Sequence, residues 1–70
     1  MESQNKKILN HLQTHKTGIT SMEAFRKYGI TRLSARISNL RDMDFNIKTT
    51  IETKRNDEGN VVNYARYTLE

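Results

Sequence analysis

Short side chains and hydrogen-bonding side chains are concentrated in one stretch of the sequence. At the spacing of a helix that begins near Arg32 and ends near Met43, they form a stripe along one side. Small residues let a helix backbone come close to the edges of nucleic-acid bases, and hydroxyl and amide groups can hydrogen-bond there. Arginines beside the stripe can reach phosphates. The candidate nucleic-acid contacts in this segment are Thr31, Arg32, Ser34, Ala35, Arg36, Ser38, Asn39 and Arg41.

A second group of charged residues lies around the turn predicted at residues 56–60. Lys54 and Arg55 come just before this turn and are further candidates for phosphate contact. Asp57 and Glu58 lie within the turn, and their negative charges repel a phosphate backbone. The turn therefore fits either DNA or a basic surface on a partner protein.

The remaining polar residues do not form a pattern typical of catalysis or metal binding. His11 and His15 lie four residues apart on the first predicted helix, but functional zinc sites need three or four ligands. We therefore expect them to be partly exposed surface histidines. Ser21, Ser34 and Ser38 have no predicted base and acidic partner, as a nucleophilic serine requires. The sequence predicts no enzymatic activity and no cofactor.

Length and charge limit the class of protein further. A chain of 70 residues has room for one modest core, so we expect a single domain over residues 1–70. Twelve Lys and Arg against eight Asp and Glu give a net charge of +4, which favours a polyanionic partner. The chain has no cysteine and no long apolar stretch, and the polar residues 1–7 lack the apolar stretch that is typical of a secretory signal. We expect a cytoplasmic protein that makes no membrane contact.

The first two predicted helices have clear start and stop signals. Ser3 is the predicted N-cap of a helix that ends near Thr14, with an apolar stripe of Ile8, Leu9 and Leu12. Ile19 is predicted to pair at the edge of a later hairpin. A second helix begins at a capping box of Thr20 and Glu23 and ends at Gly29. Its predicted core contacts are Met22, Ala24, Phe25 and Tyr28.

The third predicted helix has Thr31 as its N-cap candidate, and its core side is defined by Leu33, Ile37 and Leu40. Asp44 is predicted to adopt a positive φ after the helix, which returns Phe45 to the core. The expected core partners of this helix side are Leu12, Phe25 and Ile51.

Two strands that form a hairpin are predicted after the third helix. Alternation of polar and apolar residues begins at Ile47, and a second strand runs from Val61 to Leu69. A symmetric turn sets the register and brings the apolar residues of both strands to one face. The predicted pairs are Ile47 with Leu69, Thr49 with Tyr67, and Ile51 with Ala65.

The order of the elements predicts an α+β fold, a three-helix winged helix-turn-helix with a C-terminal β-hairpin wing. Residues 19–24, 28–37, 40–41, 45–47 and 67–69 resemble the small winged helix-turn-helix proteins of bacteriophages and prophages. The resemblance implies a protein that binds double-stranded DNA, regulates transcription or organises a nucleoprotein complex, and reads the major groove with its third helix. It puts Arg32, Ser34, Ala35 and Arg36 in the recognition helix of the family.

Two further partners follow from this interpretation. One recognition helix reads only a few base pairs, so high specificity requires a pair of domains, as in a homodimer. The acidic turn supports the alternative function, a winged-helix interaction module that binds and inhibits or recruits a host protein.

Overall fold

The computed structural model describes residues 3–70, which form three helices and a three-stranded sheet. The helices are α1 (Gln4–Thr14), α2 (Ser21–Tyr28) and α3 (Leu33–Asp42). The strands are β1 (Ile19–Thr20), β2 (Ile47–Arg55) and β3 (Val61–Leu69). The predicted α+β class and the order of its elements are confirmed, and we refer to β2, β3 and the turn at residues 56–60 as the wing.

Side chains cap the starts of α1 and α2 as the sequence predicts. The Ser3 hydroxyl accepts a hydrogen bond from the Lys6 amide at 3.1 Å. At α2, the Glu23 amide donates to the Thr20 hydroxyl at 3.3 Å, and the Thr20 amide donates to the Glu23 carboxylate at 3.1 Å. These bonds satisfy amides that the first helical turn leaves without a partner.

The predicted N-cap of α3 is wrong by one residue. Arg32 occupies this position, with no side-chain capping bond, and Thr31 lies in the preceding turn. The chain ends α2 at Gly29, with a φ of 66°, and then buries Ile30. Because Ile30 must reach the core, the turn is longer than the sequence analysis allows for, and the helix begins only at Leu33.

The predicted reversal after α3 is confirmed. Asp44 has a φ of 70° and its amide donates to the Arg41 carbonyl at 3.0 Å. The Phe45 amide donates to the Leu40 carbonyl at 3.1 Å, and the Phe45 side chain packs against the core. An aspartate tolerates this left-handed conformation better than most non-glycine residues.

The sheet has the order β1-β3-β2, with both pairs antiparallel. The three predicted pairs of the hairpin are all present, and Ile19 pairs with Tyr67 at the other edge of β3. Gly18 lies just before this edge with a φ of 76°, and a Cβ there would collide with the Tyr67 carbonyl oxygen. The position therefore requires glycine, because a side chain would force β1 away from β3.

The core lies between the three helices and the base of the sheet. The predicted side of α3 is confirmed, since Leu33, Ile37 and Leu40 are each 1% exposed. The buried apolar residues are Ile8, Leu12, Ile19, Ala24, Ile30, Leu33, Ile37, Leu40 and Ile47.

Three residues predicted to contact the core are instead exposed: Met22 by 61%, Phe25 by 58% and Ile51 by 65%. In α2, the core-facing positions are taken by Ala24 and, four residues later, Tyr28. Met22 and Phe25 are three residues apart and share another side of the helix. Ile51 keeps its predicted register, but Ile47 is the one buried residue of β2, so the helices cover only the base of the wing.

Replacement of isoleucine by alanine tests this distribution of buried residues. Ile37→Ala removes a side chain from the core and should lower the free energy of unfolding by about 2–5 kcal/mol. Ile51→Ala makes the same chemical change at an exposed position and should cost less than about 1 kcal/mol. Chemical denaturation followed by circular dichroism measures both, and equal losses would show that the boundary of the core is wrong.

Candidate nucleic-acid interface

The outer side of α3 carries four of the candidate contact residues predicted from the sequence. The structure leaves Ser34 and Ser38 exposed on the helix, and Thr31 and Arg32 exposed at its start. Leu33 is buried in the core on the other side of the helix. Because the core fixes this helix while its outer residues are short, the α3 backbone can come close to a flat or grooved ligand.

Three other candidates lie at the flank of α3 that faces α1. The Asn39 amide group donates to the Asn5 side-chain oxygen of α1 at 3.4 Å, and Asn39 is half-buried. Arg36 is three residues earlier on the same flank, and its Nε is enclosed without a hydrogen-bond partner among the described residues. Ala35 is also half-buried. These residues border the outer side of α3 and do not form its centre.

Arg41 holds the base of the wing. Its Nε and Nη2 donate to the Ile47 carbonyl at 3.2 and 2.8 Å, and Nη2 also donates to the Thr49 hydroxyl at 2.8 Å. These bonds connect the last turn of α3 to the first residues of β2. The sequence does not predict this contact, since an arginine in the last turn of a helix gives no signal of a partner six residues later.

The two basic residues near the tip of the wing lie on opposite faces of the sheet. Lys54 and Arg55 are both exposed and adjacent in β2, so their side chains alternate. Arg55 shares a face with Ile51, and Lys54 shares the other face with Glu52. The turn beyond them is closed by the Asn56 side-chain oxygen, which accepts from two amides at 3.0 Å. Asp57 and Glu58 are exposed within this turn.

Arg66 of β3 makes a network of contacts that the sequence analysis missed. Its Nε donates to Glu52 at 2.8 Å, and its Nη1 reaches Glu23 at 3.3 Å and the Thr17 carbonyl at 3.1 Å. The hydrogen bond from Arg66 lowers the pKa of Glu52, and the same bond raises the pKa of Arg66. Since Arg66 pairs with Thr50 and Tyr64 with Glu52, the ion pair is diagonal across the hairpin. The predicted register could have identified it.

His11 is buried, 3% exposed, whereas the sequence analysis expects a partly exposed residue. Its Nε2 lies 3.2 Å from the Gly18 carbonyl and its Nδ1 lies 2.7 Å from the Tyr28 hydroxyl. A carbonyl only accepts, so Nε2 carries the hydrogen and Nδ1 accepts from Tyr28. His15 is exposed and stacks on His11 at 4.1 Å between ring centroids. Within residues 3–70, no group of three or more side chains could hold a metal ion.

Comparison with known proteins assigns the family. Residues 3–70 match the family model described as a winged helix-turn-helix domain, and the chain belongs to this family. No match was found among curated proteins or among solved structures. Domains of this family are typically non-enzymatic modules that bind DNA, which indicates DNA binding in general for this chain. No helix in the described part of the chain is long and apolar enough to cross a membrane.

The buried His11 should make folding stability depend on pH. Burial lowers its pKa below the ordinary value of 6.5, so the unfolded chain binds this proton more readily than the folded chain. Stability should therefore decrease as the pH falls from about 7 through the unfolded pKa of about 6.5. Thermal unfolding between pH 7.5 and pH 5 measures the effect.

Two variants identify the residue responsible. His11→Gln should flatten the pH dependence in this range, whatever its absolute stability, whereas His15→Gln should retain it. A pH dependence that survives His11→Gln would show that another group is the source.

Proposed function

We propose that this protein binds double-stranded DNA, with the outer side of α3 in the major groove and the wing beside the phosphate backbone. One observation carries the proposal: Ser34 and Ser38 are exposed on a helix whose other side is part of the core. A helix fixed in this way can enter the major groove without unfolding, because it loses no core contact on binding. The remaining proposed contacts are Thr31, Arg32, Ala35, Arg36, Asn39, Arg41, Lys54 and Arg55.

Charge supports the same partner. The net charge of +4 favours release of counterions from DNA on binding. Arg32 is exposed at the N-terminus of α3, where the helix dipole adds to the positive potential. Together they attract the backbone to the end of the helix that enters the groove in helix-turn-helix proteins.

The biological role that we propose is a transcriptional regulator or a component of a nucleoprotein complex in a bacterial cytoplasm, of phage or prophage type. The resemblance of residues 19–24 and 28–37 to such proteins supports it. A pair of domains is part of this proposal, because one α3 reads too few base pairs for high specificity.

A second candidate function is an interaction module for a partner protein. Two observations favour it: Asp57 and Glu58 are exposed at the tip of the wing, and Met22 and Val62 are exposed by 61% and 42% beside an open groove between α2 and the wing. Apolar residues with a charged rim are typical of protein interfaces. This function predicts only weak, non-specific binding to DNA.

Replacement of Arg32 tests the proposed orientation of α3. Arg32→Ala should weaken binding to duplex DNA by about 1–3 kcal/mol, because it removes a contact at the start of the helix without touching the core. Lys6→Ala removes the same charge from α1, where Lys6 is exposed, and should have a smaller effect. Fluorescence anisotropy measures the affinities and circular dichroism checks the fold. Equal affinities for the two variants would contradict the role of α3.

A further inference from the structure

One guanidinium group connects the wing to the start of the helix-turn-helix. Arg66 lies in the central strand β3, and its Nη1 contacts both Glu23 of α2 and the carbonyl of Thr17 before β1. Its Nε donates to Glu52 on the neighbouring strand β2. Arg66 is therefore bonded to the other strand of the wing, to α2 and to the segment between α1 and β1.

The Glu23 carboxylate makes this connection stiff. The same oxygen atom, Oε1, accepts from the Thr20 amide at 3.1 Å and from Arg66 at 3.3 Å. Thr20 also pairs with Arg66 in the sheet. The capping box that starts α2 is thus part of the support of the wing, and α2 cannot change its starting direction without disturbing Arg66.

Apart from the contacts of Arg66, few contacts connect the wing to the rest of the domain. β1 pairs with β3 only at Arg66 and Tyr67, and an open groove separates the start of α2 from the outer half of the hairpin. No residue of the wing after Ile47 is fully buried. On the opposite strand, Arg41 attaches β2 to α3 at Ile47 and Thr49. The angle of the wing is therefore set at its base.

We propose that Arg66 is a positioning residue for DNA binding. With Glu52 it joins the two strands of the wing, and through Glu23 and the Thr17 carbonyl it holds the wing at the angle at which a basic residue at its tip, Lys54 or Arg55, reaches the backbone while α3 lies in the groove. The inference rests on the proposed function. Arg66 does not contact phosphate in this scheme, because its side chain is only 25% exposed and its Nε and Nη1 are bonded within the protein, whereas Arg41 is exposed.

The ion pairs of Arg66 are partly exposed, so we expect them to affect the position of the wing more than the stability of the fold. The side chains of Arg66, Glu52 and Glu23 are 25%, 35% and 38% exposed. Ion pairs as exposed as these contribute little to the free energy of folding. Loss of the network should leave the domain folded with a wing that is no longer held at one angle.

Two threonine variants give opposite signs for positioning and for simple electrostatics. Glu52→Thr removes one of the two carboxylate partners of Arg66, the one that accepts from its Nε at 2.8 Å, and keeps a residue suited to a strand. Glu58→Thr makes the same change of charge in the exposed turn, where the Glu58 carboxylate makes no described contact. Each raises the net charge by one, so electrostatics alone tightens DNA binding by both. Positioning predicts that only Glu58→Thr tightens it.

We expect Glu52→Thr to weaken binding to a random-sequence duplex on the order of tenfold, and to reduce the slope of log K against log salt by about 1 to 2, as phosphate contacts of the wing are lost. Glu52→Gln keeps an acceptor for Arg66 and removes the same negative charge, so it should bind at least as tightly as the parent, with the slope of the parent. Circular dichroism and thermal unfolding check that all three variants are folded.

Different outcomes of these measurements would contradict the positioning role of Arg66 and the proposed function. If Glu52→Thr binds as tightly as Glu58→Thr with a slope no smaller than that of the parent, positioning by Arg66 is wrong and the proposed function stands. If Glu52→Gln binds as weakly as Glu52→Thr, the carboxylate charge and not the hydrogen bond is responsible, which also overturns the inference. If the parent itself does not bind duplex DNA, the proposed function fails, and the role of Arg66 in DNA binding fails with it.

Discussion

Burial of one side of α3 is the constraint on which the rest of the structure depends. Leu33, Ile37 and Leu40 provide a third of the nine buried apolar residues, so a chain of this size has few other residues that could replace them in the core. Since these three residues fix the rotation of the helix, they also determine that Ser34 and Ser38 face outward. The candidate interface is therefore a consequence of the core, and it needs no separate element to hold it.

The wing is supported in a different way. Its two strands pair along nine residues each, but the core reaches only the base, at Ile47 of β2 and at Tyr67 and Leu69 of β3, and the outer half has backbone hydrogen bonds without a buried face. A hairpin of this kind keeps its internal register and lacks a fixed angle to the helices. Arg41 of α3 bonds to β2, and Arg66 of β3 bonds to α2, so polar contacts connect the wing to the helices where the core ends.

The sequence predicted most of the fold because the strongest signals were local. Helical spacing identified the core side of α3, the capping box identified the start of α2, and a symmetric turn gave the register of the hairpin. The prediction failed where burial depends on distant elements. Phe25 and Ile51 have apolar side chains at suitable spacing, but neither spacing nor composition states how far the core extends. His11 is buried because Tyr28 and Gly18 satisfy both of its ring nitrogens, which are contacts that no local pattern predicts.

The most direct measurement of the central claim is the salt dependence of binding between the unmodified protein and a random-sequence DNA duplex. A winged helix that contacts several phosphates should bind with a linear decrease of log K against log salt, with a slope of about −0.9 for each phosphate contact. For contacts from both α3 and the wing, we expect a slope of about −3 or steeper. An absence of binding at low salt, or a slope near zero, would contradict the account and favour the acidic turn and the apolar groove as the functional surface.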